Sequence, residues 1–274
     1  MHITNKTSRV FGKFASYNFP KPIQNIINYS YVKLLGLDMG EFYSPSHYKS
    51  LNELFTRELR VPRHIDTSLD NFISPADSFI TECGKLKSDT LLQIKGMTYG
   101  VKELLTEHIK NDNLDKVSDG EFMNFYLSPK DYHRYHSPYY AKVTKLIHIP
   151  AKLYPVNKPY LRKEQDLFIK NERVVLECIT DEGKLFYMVF VGALNVGEMV
   201  FTFEPRVETN RNNKDIKVYE YDNLHISKGE CLGYFKMGST VLMIWEKDFV
   251  NLENLVNTKV NFGTIVADIV SRKS

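Results

Sequence analysis

Three short segments of the chain carry side chains that could combine acid–base chemistry with nucleophilic attack. Asp77 closes a Ser-Pro-Ala-Asp sequence, and His133 and His136 lie in a run that reads Asp-Tyr-His-Arg-Tyr-His-Ser-Pro. Ser239 follows directly after a glycine in Met-Gly-Ser-Thr-Val. A serine hydroxyl becomes a strong nucleophile when a neighbouring imidazole takes its proton, and a carboxylate can orient that imidazole.

Each segment also has a purely structural explanation. An aspartate two residues after a proline, as at Asp77, is typical of a turn. His133 and His136 would share one face of a helix, where histidines most often pack or form hydrogen bonds. A Gly-Ser-Thr sequence ahead of an apolar strand is common in tight turns, which would explain Ser239. The chemical interpretation therefore depends on the three segments meeting in the fold.

The position of one glycine separates two kinds of serine chemistry. A serine hydrolase elbow reads Gly-x-Ser-x-Gly, whereas here Gly238 stands immediately before Ser239. Glycine has no Cβ to block an approach to its own carbonyl, so the backbone of Gly238 is an available target for Ser239. Thr240 could donate a hydrogen bond to the resulting oxyanion, or could simply open the strand that follows.

The elements that must position these residues begin with a helical N-terminal region, residues 1–60. A main helix is expected to start near Pro22, and a second helix is expected over residues 51–59. Apolar side chains recur along the main helix at helical spacing, and its polar side chains lie opposite them. The apolar set is Ile23, Ile26, Ile27, Tyr31, Leu34 and Leu35, and the polar set is Gln24, Asn25 and Asn28.

The remaining residues, 61–274, are predicted to form the catalytic domain around a β-rich core. Runs of β-branched and aromatic residues predict most of its strands. These runs cover residues 142–149, 173–179, 185–191, 199–203, 230–235 and 241–245. A helix is expected over residues 101–109. The sequence therefore predicts an α+β fold with a barrel-like or sandwich-like core and N-terminal amphipathic helices.

Basic residues are concentrated at the start of the chain. The net charge of +3 over 274 residues is too small to indicate a nucleic acid partner. Residues 1–37 contain no Asp or Glu, and a basic amphipathic helix can bind an anionic lipid surface. The basic residues of this stretch are Lys6, Arg9, Lys13, Lys21 and Lys33. The alternative is that the helix packs only on its own domain.

The remaining features favour a cytosolic protein. Cys83, Cys178 and Cys231 are too few and too widely spaced for a disulfide framework, which indicates a reducing compartment. Neither a signal peptide nor a run long enough to span a bilayer is evident. We therefore expect peripheral attachment to the cytoplasmic face of the cell membrane.

Taken together, the segments resemble the phosphatidylserine decarboxylase family. The run at residues 131–138 has the most specific pattern, and other segments follow in family order from about Leu54 to Val241. These further segments lie at residues 54–57, 154–157, 167–174 and 191–197. Met237, Ser78 and Leu54 depart from the family pattern, but none of these changes removes a catalytic group.

The resemblance implies that the chain cuts itself between Gly238 and Ser239. Ser239 would attack the Gly238 carbonyl, and elimination followed by hydrolysis would leave a pyruvoyl group at position 239. The products would be a large subunit, residues 1–238, and a small subunit, residues 239–274. By the same resemblance Asp77 and His136 assist the cleavage and His133 assists decarboxylation, although the two histidine roles could be exchanged.

The implied reaction uses the pyruvoyl carbonyl to condense with the amine of phosphatidylserine, and loss of carbon dioxide then yields phosphatidylethanolamine. This chemistry needs no metal, and no metal site is predicted, although His133, His136 and Asp131 are spaced closely in the sequence. Two other classes stay open: a serine hydrolase that uses Asp77, a histidine and Ser239, and a membrane-surface lipid-binding protein without activity. The oligomeric state is also open, a homodimer included.

Overall fold

The centre of the fold is an eight-stranded antiparallel sheet. The computed structural model describes residues 10, 12–87, 90–94, 97–155, 166–194, 198–211, 215–236 and 239–270. The strands of the large sheet are β2 (Ser78–Lys85), β5 (Glu121–Leu127), β7 (Ala141–Ile149), β8 (Arg173–Ile179), β9 (Leu185–Val191), β11 (Lys217–Ile226), β13 (Ser239–Trp245) and β15 (Lys259–Val260). They run in the order β11-β7-β8-β9-β13-β5-β2-β15, which places β13 between β9 and β5.

Two three-stranded sheets and one hairpin complete the β structure of the described residues. The first small sheet, in the order β1-β16-β14, joins β1 (Asn71–Ile73), β16 (Ile265–Ile269) and β14 (Val250–Leu252). The second, in the order β10-β12-β6, joins β10 (Met199–Phe201), β12 (Cys231–Phe235) and β6 (Arg134–His136). The hairpin pairs β3 (Thr90–Ile94) with β4 (Met97–Gly100).

The large sheet is covered on both faces, as its strands of consecutive apolar residues require. Along β13, Val241 and Met243 enter one hydrophobic cluster, whereas Leu242 and Ile244 enter another. This alternation follows from the two-residue period of a strand. The first cluster includes side chains of both small sheets, such as Phe201, so these sheets form a second layer. The prediction of a β-rich α+β fold is confirmed.

The α-helices lie around these layers. Those whose bounds lie within the described residues are α1 (Lys21–Leu35), α2 (Leu51–Phe55), α3 (Val101–Leu105), α4 (Asn111–Val117) and α5 (Leu167–Lys170). Side chains of α3, α4 and α5 belong to the second cluster of the large sheet. Of the described residues, no helix has both the length and the hydropathy that crossing a bilayer requires.

Two predicted helices are shorter than expected. Ser50 caps α2 by accepting from the Glu53 N–H at 3.1 Å, but the helix ends at Phe55 rather than near residue 59. Beyond it, Arg57 turns to donate to backbone carbonyls of another segment. Helix α3 ends at Leu105 rather than Ile109, because Thr106 has a positive φ of 76°. Tertiary contacts and local backbone geometry override helix propensity at both ends.

Helix α1 turns its polar stripe inward. Gln24 and Asn28 are 2% and 0% exposed, and the Asn28 amide donates to the carbonyls of Pro45 and Tyr48 at 2.9 and 3.0 Å. Ile26 and Leu34 are 68% and 83% exposed. The predicted helix is therefore present, and part of its apolar stripe faces outward. The division of the chain at residue 60 stays a prediction.

Candidate active site

Ser239 is the first residue of β13, directly beside Leu127 of β5 in the large sheet. Its side chain is completely buried, and its Oγ makes no hydrogen bond among the described residues. The strand begins at Ser239, two residues before the predicted start at Val241. Met237 and Gly238, and with them the predicted cleavage bond, lie outside the described residues.

His133 lies just before β6 and close in the fold to the strand that leads toward Ser239. Its carbonyl accepts from the Phe235 N–H at 2.9 Å, at the end of β12. Its Nδ1 donates to the Asp131 carbonyl at 2.8 Å, which leaves Nε2 as the unprotonated nitrogen with no partner among the described residues. Burial lowers the pKa of His133 to about 3. The ring of Phe55 packs on this imidazole, with 4.0 Å between ring centroids.

His136 is the last residue of β6 and makes a different set of contacts. Its Nδ1 donates to the Gly229 carbonyl at 2.9 Å, and its Nε2 accepts from the Tyr132 hydroxyl at 3.1 Å. The ring of Phe262 stacks on the imidazole. Burial lowers the pKa of His136 to about 4. The ring is therefore neutral at pH 7, and it must release Tyr132 before Nε2 can accept a proton from another group.

Asp77 is held by an arginine rather than by a histidine. Arg63 Nη1 and Nη2 lie 2.5 and 3.0 Å from the two carboxylate oxygens of Asp77, and the same guanidinium also binds Glu41. The backbone N–H of Phe262 donates to Asp77 Oδ1 at 2.7 Å. Phe262 therefore contacts both Asp77, through its backbone, and His136, through its ring.

The fold brings the Ser-Pro-Ala-Asp segment into contact with the histidine run. The His136 N–H donates to the Pro75 carbonyl at 2.8 Å, which joins the Ser-Pro-Ala-Asp segment to the histidine segment. The two histidines do not lie on a helix, so the helical alternative does not apply. His133 lies directly before β6, and His136 is the last residue of that strand. Asp77 is grouped with His136, whereas His133 lies near the end of β12.

Several residues of the site were missed from the sequence alone. Tyr132 lies within the recognised histidine run, so its position was available, but its bond to His136 was not. Arg63 and Phe262 belong to no motif, and Phe262 is far from Asp77 in the sequence. Such pairs are set by the tertiary fold. Within the part of the chain described here, no group of three or more His, Cys, Asp or Glu side chains could hold a metal ion.

An enzyme could use the groups described above for nucleophilic and acid–base chemistry: a fully buried serine, two imidazoles that are neutral at pH 7, and a buried carboxylate. A model of the phosphatidylserine decarboxylase family matches residues 51–268. The chain belongs to the phosphatidylserine decarboxylase family, and the predicted membership is confirmed.

Curated relatives extend this similarity to nearly the whole chain. The chain is 41% identical over 272 residues to the phosphatidylserine decarboxylase proenzyme of Campylobacter jejuni, covering 98% of this chain and 100% of that protein. It is 42% identical over 268 residues to the proenzyme of the same name from Helicobacter pylori strain 26695, covering 97% of each. The proenzyme of Francisella philomiragia is 35% identical over 269 residues, covering 95% of this chain and 92% of that protein. The chain is a decarboxylase.

Proposed function

We propose that the chain decarboxylates phosphatidylserine to phosphatidylethanolamine after cutting itself between Gly238 and Ser239. The observation that supports this best is Ser239, a fully buried serine whose Oγ has no hydrogen-bond partner among the described residues. Buried hydroxyls are normally hydrogen-bonded, so one without a partner is expected where chemistry uses it. The proenzyme name of the relatives agrees with a chain that is processed.

The first reaction converts the precursor into two pieces. Ser239 Oγ attacks the Gly238 carbonyl, its proton passes to an imidazole, and the amide becomes an ester. Elimination then releases Gly238 as the C-terminus of the large piece, and water displaces ammonia from position 239 to leave a pyruvoyl group. We assign the proton transfer to His136, because Phe262 holds it close to Asp77 and that carboxylate favours the imidazolium that forms.

The second reaction uses His133. The pyruvoyl group, when formed, supplies a carbonyl that accepts electrons from an amine substrate as carbon dioxide leaves. His133 Nε2 is open among the described residues, and the Asp131 carbonyl fixes its tautomer. An imidazole of this kind can bind a proton and return it to the substrate carbon. The apolar ring of Phe55 beside it limits water at this position.

Helix α1 suits a lipid substrate. Ile23, Ile26 and Leu34 are exposed on its outer side, and Lys21 and Lys33 are exposed on the same helix. An exposed apolar surface next to basic side chains favours binding to an anionic bilayer, and phosphatidylserine is anionic. Peripheral binding to the cytoplasmic face of the membrane is the localisation we propose. Lys6 and Arg9, which would add to the charge, lie outside the described residues.

Intact mass spectrometry of the purified protein tests the proposal. Two pieces are expected, residues 1–238 and residues 239–274, and the second should carry the mass of a pyruvoyl terminus. Ser239→Ala should remain one chain, while Ser227→Ala, a change at an exposed serine, should still be cut. A wild-type chain that stays intact and reacts with serine-directed phosphonates would instead support the hydrolase class.

The two histidine roles are separable when this measurement is combined with an assay of carbon dioxide release. His136→Gln should slow the cutting of the chain. His133→Gln should be cut but should release little carbon dioxide from phosphatidylserine. The opposite pattern would exchange the two roles. An intact wild-type chain that binds lipid vesicles and releases no carbon dioxide would support the non-catalytic alternative.

A further inference from the structure

Arg57 is a buried cation without an ion pair among the described residues. Its side chain is 2% exposed, and its Nη2 donates to the carbonyls of Lys130 and Asp131 at 3.1 and 3.3 Å. Its Nε and Nη1 have no hydrogen-bond partner among the described residues. Burying a charged group is costly unless hydrogen bonds or an opposite charge compensate it. The guanidinium also lies over the ring of Phe42, with 4.4 Å from Cζ to the ring centroid, but this contact leaves the N–H donors of Nε and Nη1 without an acceptor.

A second buried arginine shows that the fold can satisfy such a group. Arg173 is 3% exposed, and all three of its nitrogens donate to backbone carbonyls, among them those of Leu104, Ile169 and Glu103 at 2.7 to 2.8 Å. Arg173 therefore has a complete structural role. The unused donors of Arg57 call for a different explanation, and an anionic ligand would supply the missing partner.

Arg57 lies between the lipid-facing helix and a catalytic histidine. The Asp131 carbonyl that accepts from Arg57 also accepts from His133 Nδ1. On the other side, the Tyr31 hydroxyl of α1 donates to the Pro129 carbonyl at 3.3 Å, next to the Lys130 carbonyl that Arg57 binds. A bound phospholipid would have its acyl chains toward α1 and its amine toward the reacting carbonyl. The phosphodiester lies between these two parts of the lipid.

We propose that Arg57 binds the phosphodiester of the lipid substrate, an assignment that rests on the function proposed above. Guanidinium groups suit phosphate because they spread one positive charge over several N–H donors. The substrate carboxylate is a less suitable ligand. A strong ion pair to the group that must leave as carbon dioxide would stabilise the reactant more than the transition state.

The ligand reaches Arg57 only in the processed enzyme. In the continuous chain Arg57, His133 and Ser239 are all buried, so the lipid has no access to any of them. The test therefore uses processed protein, in which both pieces are present.

Kinetics of Arg57→Met and Arg57→Lys test the assignment, with Arg173→Met as the matched control. Arg57→Met should raise KM for phosphatidylserine in mixed micelles by about 10- to 100-fold while kcat changes by less than about threefold, the effect of losing charge-assisted hydrogen bonds. Arg57→Lys should recover part of the affinity because it keeps the charge. Arg173→Met should lower thermal stability without this change in KM.

Inhibition by glycerophosphate gives an independent measure that needs no bilayer. Glycerophosphate should compete with the substrate in wild type. The inhibition constant of glycerophosphate should rise about 10-fold or more in Arg57→Met but not in Arg173→Met. Equal inhibition constants in wild type and Arg57→Met would overturn the assignment, as would a loss of kcat with KM unchanged. If Arg57→Met does not fold, the same comparison is made with Arg57→Lys. A chain that is never cut would refute the proposed function instead, and that is visible on a gel beforehand.

Discussion

The imidazole of His136 lies flat on the phenyl ring of Phe262, with ring centroids 3.7 Å apart and ring planes 14° from parallel. The backbone N–H of Phe262 donates to Asp77, so one residue orients both a carboxylate and an imidazole. Phe262 lies within the predicted small subunit, whereas Asp77 and His136 lie within the large one. Both predicted pieces therefore contribute to the contacts that hold Asp77 and His136, the predicted catalytic groups.

Phe262→Ala is expected to slow self-cleavage about fivefold. The substitution removes the ring that orients His136, and an aromatic contact of this kind contributes about 1 kcal/mol. The N–H to Asp77 is a backbone group and is retained. The measurement is the rate at which newly made chain converts to two bands. Phe203→Ala, an aromatic change at the edge of the main core, should leave the rate unchanged; an equal effect of both changes would argue against a role for the stack.

Acidification is expected to destabilise the folded chain between about pH 6.5 and pH 4. Burial lowers the pKa of His136 to about 4, whereas an unfolded histidine titrates near 6.5. Above pH 6.5 both states are neutral at this site and no pH dependence arises from it. Below that pH the unfolded state binds the proton first, so the free energy of unfolding falls, by about 3 kcal/mol at pH 4.

This pH dependence is measured by denaturant unfolding of uncut Ser239→Ala chain at several pH values. Adding His136→Gln should make the fall in stability with acid shallower. Adding His47→Gln, a change at an exposed histidine, should not. Identical slopes in all three chains would show that another group dominates the acid response.

Substitution of Arg63 is expected to destabilise the fold more than substitution of Glu41, the second carboxylate that Arg63 binds. Arg63→Met leaves Asp77 buried with only the Phe262 N–H, and the free energy of unfolding should fall by about 2 kcal/mol. Glu41→Gln removes the partner whose side chain is 51% exposed, so it should cost less than about 1 kcal/mol. Chemical denaturation of the two variants in the uncut Ser239→Ala chain decides this. In chains that retain Ser239, self-cleavage should slow in Arg63→Met but not in Glu41→Gln. Equal losses of stability in the two variants would mean that the contact with Asp77 is not the important one.

Negative charge introduced on the exposed apolar side of α1 is expected to weaken membrane binding. Ile26→Glu combined with Leu34→Glu should lower the affinity for phosphatidylserine vesicles at least 10-fold, since two exposed apolar side chains lose their favourable burial in the bilayer. Co-sedimentation with vesicles measures this. Val218→Glu, an exposed apolar position on β11, is the control for added charge. Unchanged vesicle binding in the double variant would exclude this side of the helix as the contact surface.

Strand positions were the most predictable part of the fold. The bounds of β8 and β9 coincide with the predicted residues 173–179 and 185–191, because uninterrupted apolar and β-branched runs form buried strands. The orientation of α1 was not predictable, because periodicity identifies two stripes but not which one faces the protein. The polar stripe faces the protein because the Asn28 amide donates to two carbonyls that are distant in the sequence.

The candidate site was predictable in its reactive groups and not in its contacts. Asp77, His133, His136 and Ser239 belong to local sequence patterns, and their roles stay predictions. The pairing of Asp77 with Arg63, and the stacking of Phe262 on His136, join residues from separate parts of the chain. Local patterns contain no information on such pairs, because the sheet topology brings them together.

Because β13 lies between β9 and β5, the small piece left by the proposed cut would stay hydrogen-bonded to strands of the large piece on both sides. Residues 239–274 supply β13 and β15 to the main sheet and β14 and β16 to a smaller sheet. Dilution alone would not separate such pieces. Once unfolded, however, they would have to find each other as two molecules, so renaturation of the mature enzyme should depend on concentration where that of the uncut chain does not. If the chain is cut as proposed, folding must come before cutting, and each molecule has one opportunity to assemble as a single chain.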